Sequence, residues 1–453
     1  MTKFATQSLC PVCLARIPAH RVVRGEDLFL KKHCRAHGWF QTPIWRGAPA
    51  IGAWQRPKIP TRPVLAGHAV EKGCPFDCGL CPEHRQRSCT VILEVTRRCD
   101  LCCPVCYAGS GPRGRDPAVE EIAGWFEGLR RAGRGANIQL SGGEPTLRDD
   151  LPALVALGRQ AGFGFIQINT NGLRLAAEPD YAAALRSAGA ASIFLQFDGV
   201  TDTVYRKLRG RALWAVKQAA VAACARAGLG VVLVPTLVPG VNIDQVGRIL
   251  DQAVAWYPTV RGVHFQPVSY FGRHPGPPTD KDRLTLPELM RAVETQSGGR
   301  FKADHFRPPE CEHALCSFHA QYLLSEEGRP RPLHPLPMAP AEKQPIRAEE
   351  GAARAIGAVA RQWAGPSSCR GGSCCGAATV SAGNAQAMTL DEFLAAARSR
   401  TFSVSAMAFQ DVWNLDLERV QGCCIHVLAA DGRLIPFCLY NLTAADGRPL
   451  YRP

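Results

Sequence analysis

Three cysteines in the stretch VTRRCDLCCPVCYAG, namely Cys99, Cys103 and Cys106, have the spacing C-x3-C-x2-C. Three thiolates so spaced can hold three irons of a [4Fe–4S] cube and leave the fourth iron open. An open iron can chelate a small molecule and pass it one electron. A zinc site is the competing reading, and Cys102 adds C-x2-C and C-C pairings to it. The flanks decide. An apolar β-branched run, VILEVT, precedes the first Cys, and after a helical stretch NIQLSGGEP reads as a strand running into Gly142, Gly143, Glu144 and Pro145.

The thiol triplet followed by GGEP resembles the radical S-adenosylmethionine (SAM) superfamily. The resemblance covers roughly residues 90–275. It implies that the cube of Cys99, Cys103 and Cys106 binds SAM, that the glycine-rich strand end meets the methionine amino group, and that one-electron cleavage of SAM releases a 5′-deoxyadenosyl radical able to take hydrogen from an unactivated C–H bond.

The other cysteines fall into further groups. Cys10, Cys13, Cys34 and His37 form C-x2-C followed by C-x2-H, two ligand-bearing knuckles that can close a tetrahedral site. Zinc and a mononuclear rubredoxin-like iron both fit it. Cys74, Cys78, Cys81 and Cys89 offer four thiolates, enough for a fully ligated cube, with His84 a substitute ligand. A last group takes Cys311 and Cys316 from one loop and two ligands from a C-terminal hairpin, Cys423 and Cys438, with Cys424 as the spare of its doublet. The Asp431-Gly432 turn between apolar runs brings that pair together. Cys224 reads as a core residue, and Cys369, Cys374 and Cys375 lie in a Gly/Ser-rich stretch with no assigned role.

These residues need a scaffold. From Thr90 to about Arg273, short β-branched runs at 91–96, 137–141, 164–169, 192–197, 230–237 and 263–267 alternate with amphipathic stretches such as 119–132 and 151–162. That pattern predicts an α/β fold, a partial (β/α)6 barrel whose ligands sit at the C-terminal ends of its strands. Polar residues recur at those ends: Thr170 and Asn171, Gln196 and Asp198, Thr236 and Asn242, Gln266 and Arg273. They suit ribose, carboxylate and adenine contacts, and Arg209 is a candidate partner for the SAM carboxylate or a substrate phosphate. The expected organisation is an N-terminal metal knuckle at 1–50, an auxiliary-cluster segment at 51–89, the barrel at 90–275, and a C-terminal auxiliary-cluster region at 276–453 with a loop-rich insert near 328–383.

Composition narrows the class. A chain of 453 residues can bury more than one core. No charged-then-apolar leader opens it, and the longest apolar run, 219–241, is broken by Arg226, Gly228, Gly230, Pro235 and Pro239, so a cytoplasmic protein is expected. Twenty Cys then argue for metal ligation in a reducing compartment. The formal charge of +14 favours anionic partners or is solvated surface, and no aromatic-and-basic RNA-binding module accompanies it, so no nucleic acid is expected.

A narrower resemblance spans nearly the whole chain. GCPFDCGLCPEHRQ leading into EVTRRCDLCCPVCYA, with QFDGVTDTVYRKLRG, VLVPTLVPGVN, QPVSYFGR and CCIHVLAADGRLIPFCLYN, is similar to the archaeal tetraether synthase group. This implies the SAM-binding [4Fe–4S] cluster, two auxiliary [4Fe–4S] clusters, one mononuclear iron or zinc, and an electron donor such as flavodoxin or ferredoxin. It also implies carbon–carbon bond formation between lipid chains, with a basic surface docking peripherally on anionic head groups. Relatives methylate pterins, which gives the alternative of a radical methyltransferase acting on a pterin-like heterocycle. A further alternative is a non-enzymatic iron–sulfur electron carrier, against which the GGEP and the lined strand ends speak.

Overall fold

The structure, a computed structural model, describes residues 3–62, 70–133, 135–334, 344–365 and 400–452. It opens with an antiparallel meander of β1 (Lys3–Leu9), β2 (Arg16–Arg24), β3 (Asp27–Cys34) and β4 (Gly38–Trp45). Alternating burial along β2 and β3 gives the meander one packed face. That face docks on the C-terminal region: the buried Lys32 donates to the Val412 carbonyl at 2.6 Å, and Arg21 pairs with Asp416 at 2.5 Å. The short strand β5 (Lys58–Ile59) follows.

The barrel strands are β6 (Thr90–Thr96), β7 (Asn137–Gly142), β8 (Ile166–Thr170), β9 (Ser192–Gln196), β10 (Gly230–Val234), β11 (Thr236–Leu237) and β12 (Val260–Pro267). Strands β6 to β10 and β12 pair in parallel in chain order, with the short β11 also on β12. The near-continuous Val, Ile and Leu runs of β6 and β10 are buried on both faces, as a parallel sheet demands, whereas β7 and β8 alternate apolar with polar residues. Between them lie α1 (Val119–Arg131), α2 (Leu151–Gln160), α3 (Leu173–Ala177), α4 (Tyr181–Ala188), α5 (Asp202–Arg209), α6 (Trp214–Ala227) and α7 (Val246–Ala255). Helix α1 carries Glu120 and Glu121 in its first turn and Arg130 and Arg131 in its last, matching the helix dipole. After it come α8 (Leu286–Gln296), β13 (Ser317–Leu324) and β14 (Pro330–Pro332).

The sheet does not stop at residue 275. Two distant strands, β16 (Thr401–Met407) and β17 (Ile425–Leu428), pair in parallel with β12 and β6 respectively, making eight parallel strands. Antiparallel β13 and β18 (Leu434–Pro436) then cover the two flanks, with β14 outside β13. The six expected βα units are therefore the middle of a wider open sheet whose edges come from the C-terminal region.

The insert near 328–383 also differs from expectation. A short strand, β15 (Ile346–Arg347), pairs with β5 and leads into α9 (Ala348–Trp363), a 16-residue helix with Glu349 and Glu350 in its first turn and Arg361 in its last. The Ala-rich AEEGAARAIGAVARQW is a good helix former, which outweighs the surrounding Pro and Gly. Helix α9 lies across the N-terminal ends of the barrel strands: Asn137 Nδ2 donates to the Ile356 carbonyl at 3.2 Å, and Arg261 Nε to the Gln362 carbonyl at 3.2 Å. Among the described residues no helix is long and apolar enough to cross a membrane.

Candidate functional site

The loop after β6 carries the C-x3-C-x2-C thiols, and backbone bonds fix both its ends. Cys99 N donates to the Gly111 carbonyl at 2.7 Å, and Cys106 exchanges two bonds with Arg273, at 2.9 and 3.0 Å. The Arg273 guanidinium staples the middle, donating to the carbonyls of Cys103 and Ser110 at 2.7 Å each. Cys103 is buried, Cys99 and Cys106 are half-buried, and all three line one cavity of about 640 Å³. Cys102 is exposed and lies outside that lining, so of the doublet only Cys103 faces the cavity. Burial pushes the Cys99 thiol up to about 12 and also raises that of Cys103, so these thiols keep their protons until a bound cation offsets the burial. Three thiols lining one cavity are a donor set that fits an iron–sulfur cube with one open corner.

The strand end GGEP holds that loop in place. A Cβ on Gly142 would run into the Thr96 carbonyl, and one on Gly143 into the Arg98 carbonyl, so the loop approaches only because both side chains are missing. Gly143 N and Glu144 N donate to these carbonyls at 2.9 and 2.8 Å. The Glu144 carboxylate, fully buried, accepts from Thr146 N at 3.0 Å, Thr146 Oγ1 and Thr170 Oγ1 at 2.7 Å, and Asn171 N at 2.6 Å. Two of these bonds tie the ends of β7 and β8 together, the two to Thr146 fix Glu144's own turn, and Pro145 opens that turn. Asn171 Nδ2 reaches back to Asp100 in the cysteine loop at 2.7 Å.

On the next strands, Gln196, Thr236 and Gln266 line the same cavity, together with Arg209. Asp198 is fully buried behind them and acts through Arg209, pairing in bidentate fashion at 2.7 and 2.8 Å. Arg209 also donates to Thr236 Oγ1 at 3.1 Å and lies against Cys103. Asn242 closes the turn from beneath, donating to the carbonyls of Asp198 and Thr236. One buried cation escapes a motif-based reading: Lys217 on α6 donates to the Asn171 carbonyl at 2.5 Å and to Gln196 Oε1 at 2.9 Å. Burial brings it down to about 7. Its only sequence signal is a lysine on the apolar face of an Ala-rich helix.

Below the strand ends the cavity interior is mixed. A ladder of amides runs from the core to one side of the cavity: the buried Gln167 bonds Ser192 at 3.2 Å and accepts from Gln139 at 2.9 Å, and on the cavity wall Asn169 donates to both Gln139 and Ser141 at 3.2 Å, with Tyr107 on Ser141 at 3.2 Å. Beside it stand three rings, Phe194, His264 and Trp363, with centroids 5.5 to 5.9 Å apart. Burial lowers His264 to about 4, so its ring is neutral, and its Nδ1 bonds Ser405 Oγ at 2.9 Å.

The remaining cysteines partition differently from their order in the chain. Cys10, Cys13, Cys34 and His37 do converge, brought together by the β1–β2 and β3–β4 turns. Cys10 and Cys34 Sγ each lie 3.5 Å from His37 Nδ1, and the Cys13 and Cys34 sulfurs are 3.9 Å apart. Tetrahedral zinc with Zn–S of about 2.3 Å and Zn–N of about 2.05 Å has edges of about 3.6 Å (S–N) and about 3.8 Å (S–S), so the set fits one metal ion held through Nδ1.

Cys74, Cys78 and Cys81 stay together, all buried, and they repeat the C-x3-C-x2-C spacing, yet none lines the main cavity. Cys89 leaves that group. It sits with Cys311 and Cys424, its Sγ 3.1 Å from Cys424 Sγ. The cause is sheet register: Thr90 pairs with Ile425, and Cys89 N donates to the Cys424 carbonyl at 2.8 Å. Cys424, not Cys423, is therefore the member of the doublet beside Cys311. Neighbouring residues of extended chain face opposite ways, which turns Cys423 toward Cys316 and Cys438, and these three line a second pocket of about 30 Å³. His84 is held by the Cys423 carbonyl at 2.8 Å, and Cys224 is a core residue of α6. Cys369, Cys374 and Cys375 lie outside the described residues.

Residues 93–253 match the model of the Radical SAM superfamily, and residues 4–46 that of the HMPTM N-terminal zinc ribbon domain. The chain is 32% identical over 478 aligned residues to the 7,8-dihydro-6-hydroxymethylpterin dimethyltransferase of Methanocaldococcus jannaschii, covering 96% of this chain and 93% of that one. It is 32% identical to the GTP 3′,8-cyclase of Erythrobacter litoralis over 36% of this chain and 49% of that one. Among solved structures, Streptococcus suis SuiB aligns at 15% identity with a TM-score of 0.39, covering 46% of each chain.

Proposed function

The chain belongs to the radical SAM superfamily, and from that premise we propose that it transfers a one-carbon unit to a reduced pterin, with SAM as cosubstrate. The Methanocaldococcus relative, matched over almost its full length, is named for that chemistry. Lipid-chain coupling, the first expectation from sequence, therefore yields to the pterin alternative. The observation that carries the choice is that near full-length match, and the cavity lined by the three thiols also presents amides, a neutral histidine and aromatic rings within a mainly apolar wall.

Bound at Cys99, Cys103 and Cys106, a [4Fe–4S] cluster and SAM would supply one-electron cleavage of the sulfonium. The chain's own residues do the rest. Arg273 and the Gly142–Gly143 pair fix the loop, Glu144 aligns Thr170 and Asn171, and Asp198 holds Arg209 at the wall with its charge toward the cavity. Gln196, Thr236 and Gln266 offer polar contacts to ribose and adenine. Cys89, Cys311 and Glu312 line the far part of the same cavity, which suits an auxiliary centre exchanging electrons with the substrate. The cysteine groups together allow two auxiliary clusters and a zinc in the N-terminal ribbon, with a one-electron donor of the flavodoxin or ferredoxin class.

The test is anaerobic reconstitution with SAM, a reductant and either 6-hydroxymethyl-7,8-dihydropterin or polar lipid extract, read by mass spectrometry. A pterin gaining methyl mass in step with 5′-deoxyadenosine is expected. Fused lipid chains with an unchanged pterin would overturn the assignment.

A further inference from the structure

Two of the polar residues in the cavity wall stand at the end of a strand ladder, and a buried side chain outside the cavity sets where they sit. The ladder between β8 and β9 ends at Thr170–Leu195, one residue short of Asn171 and Gln196. Both of these line the cavity with the three thiols. Lys217 joins them: its Nζ donates to the Asn171 carbonyl at 2.5 Å and to Gln196 Oε1 at 2.9 Å. The lysine is 0% exposed and takes no part in the cavity lining, so whatever it does for a ligand passes through these two partners.

Helix α6 puts the lysine there. Lys217 shares a buried stripe with Ala220, Val221 and Cys224, at the spacing of one helix face. Leu213 and Val216 pack in one apolar cluster with Tyr205 and with Leu101 and Cys103 of the cysteine loop. The Tyr205 ring lies 5.6 Å from Nζ. Taking an amine out of water is costly unless its donors are used, and here they are used on the strand ends.

Gln196 is gripped from two sides. Lys217 holds its oxygen, and its Nε2 donates to Asp198 Oδ2, so the amide cannot turn over without losing both. Asp198 also carries Arg209, at 2.7 and 2.8 Å. One run of bonds, Asn171–Lys217–Gln196–Asp198–Arg209, therefore fixes three cavity residues relative to one another.

We propose that Lys217 is a positioning residue for SAM: by holding the Asn171 carbonyl and the Gln196 amide at a set separation, it presents a preorganised polar wall to the cosubstrate while touching neither SAM nor cluster. The inference rests on SAM as cosubstrate and holds whichever substrate is methylated.

Binding of SAM to the anaerobically reconstituted full chain, without reductant, tests it by equilibrium dialysis. Lys217→Met should weaken SAM by roughly 2- to 12-fold, the range for re-ordering one freed side chain on binding. Cluster iron should stay at the wild-type level. In 5′-deoxyadenosine formation the KM for SAM should rise while kcat at saturating SAM stays within about twofold. In a Gln196→Met background the lysine has lost its side-chain partner, so Lys217→Met should cost much less than it does alone. Unchanged SAM affinity in Lys217→Met overturns the inference. So does a full repeat of its loss in the Gln196→Met background, a kcat that falls with KM unchanged, or a loss of iron, which would make Lys217 a support of the cysteine loop. Where Lys217→Met fails to fold, hydrogen exchange of the wild type decides: saturating SAM should slow peptides spanning 168–175 and 194–200 relative to α7, and no slowing in either overturns the inference. A wild type that binds no SAM at all overturns the cosubstrate reading instead, which separates the two failures.

Discussion

Replacing Arg209 by Met would remove the guanidinium and keep most of the stem, leaving the Asp198 carboxylate buried without its countercharge. In the native arrangement Asp198 Oδ1 accepts from Arg209 Nη2 at 2.8 Å and Thr236 N at 3.1 Å, while Oδ2 accepts from Arg209 Nε at 2.7 Å and from Gln196 Nε2. The two side chains are 0% and 9% exposed, so solvent can neither screen the pair nor replace the lost donors. Removing one partner of such a pair costs about 3–5 kcal/mol. The cost falls on the ends of β9 and β10, where Asp198 also holds the Thr236 amide. A chain of this size need not unfold in one step, so local opening is the proper readout. Hydrogen exchange of peptides spanning 192–237, in protein free of SAM, should speed up by about two to three and a half orders of magnitude, at 1.4 kcal/mol per decade. The double variant Asp198→Asn/Arg209→Met removes both charges and should recover at least half of that loss. Exchange in Arg209→Met within threefold of wild type, or a double variant no better than the single one, would refute the view that this ion pair locks the strand ends.

Three further outcomes are expected. Gly143→Ala forces the cysteine loop off the strand end by about an ångström, and a misplacement of that size should lower SAM cleavage about 100-fold; cleavage within fivefold of wild type would contradict the close-approach role. His37→Ala should abolish the single metal ion of the N-terminal knuckle, zinc or iron, by elemental analysis while cluster iron stays, whereas loss of both together would mean that the knuckle is not an independent site. For Lys217 the sign follows from its lowered value of about 7 against about 10.4 in the unfolded chain. Between those values the unfolded state carries a proton that the folded state lacks, so this group makes stability rise with pH by up to about 1.4 kcal/mol per unit. Burial dominates; Asp198, Glu144 and Cys103 oppose it, and Arg209 reinforces it. Lys217→Met should flatten that rise between pH 7 and 10 in urea-midpoint measurements, and an identical slope in both proteins would discard it.

The sequence by itself determined what local spacing can determine. The C-x3-C-x2-C loop, the GGEP strand end and the six βα units are short-range patterns, because ligand spacing on a loop and apolar periodicity in a strand involve residues near one another in the chain. The four-donor knuckle of Cys10, Cys13, Cys34 and His37 was equally legible, though not which metal it takes, since two tight turns bring its donors together. Only the tertiary structure decided which thiols meet. Cys89 left its sequence neighbours for Cys311 and Cys424 because the β6–β17 register spans more than 300 residues, and the choice between Cys423 and Cys424 followed from the alternating faces of extended chain. The same holds for the helix α9 beneath the barrel and for Lys217. The triplet Cys74, Cys78 and Cys81 has the same spacing as Cys99, Cys103 and Cys106, and what separates them is the cavity that one faces and the other does not. Spacing fixes what a set of side chains could bind, but long-range packing sets which sets share a space and with what around them.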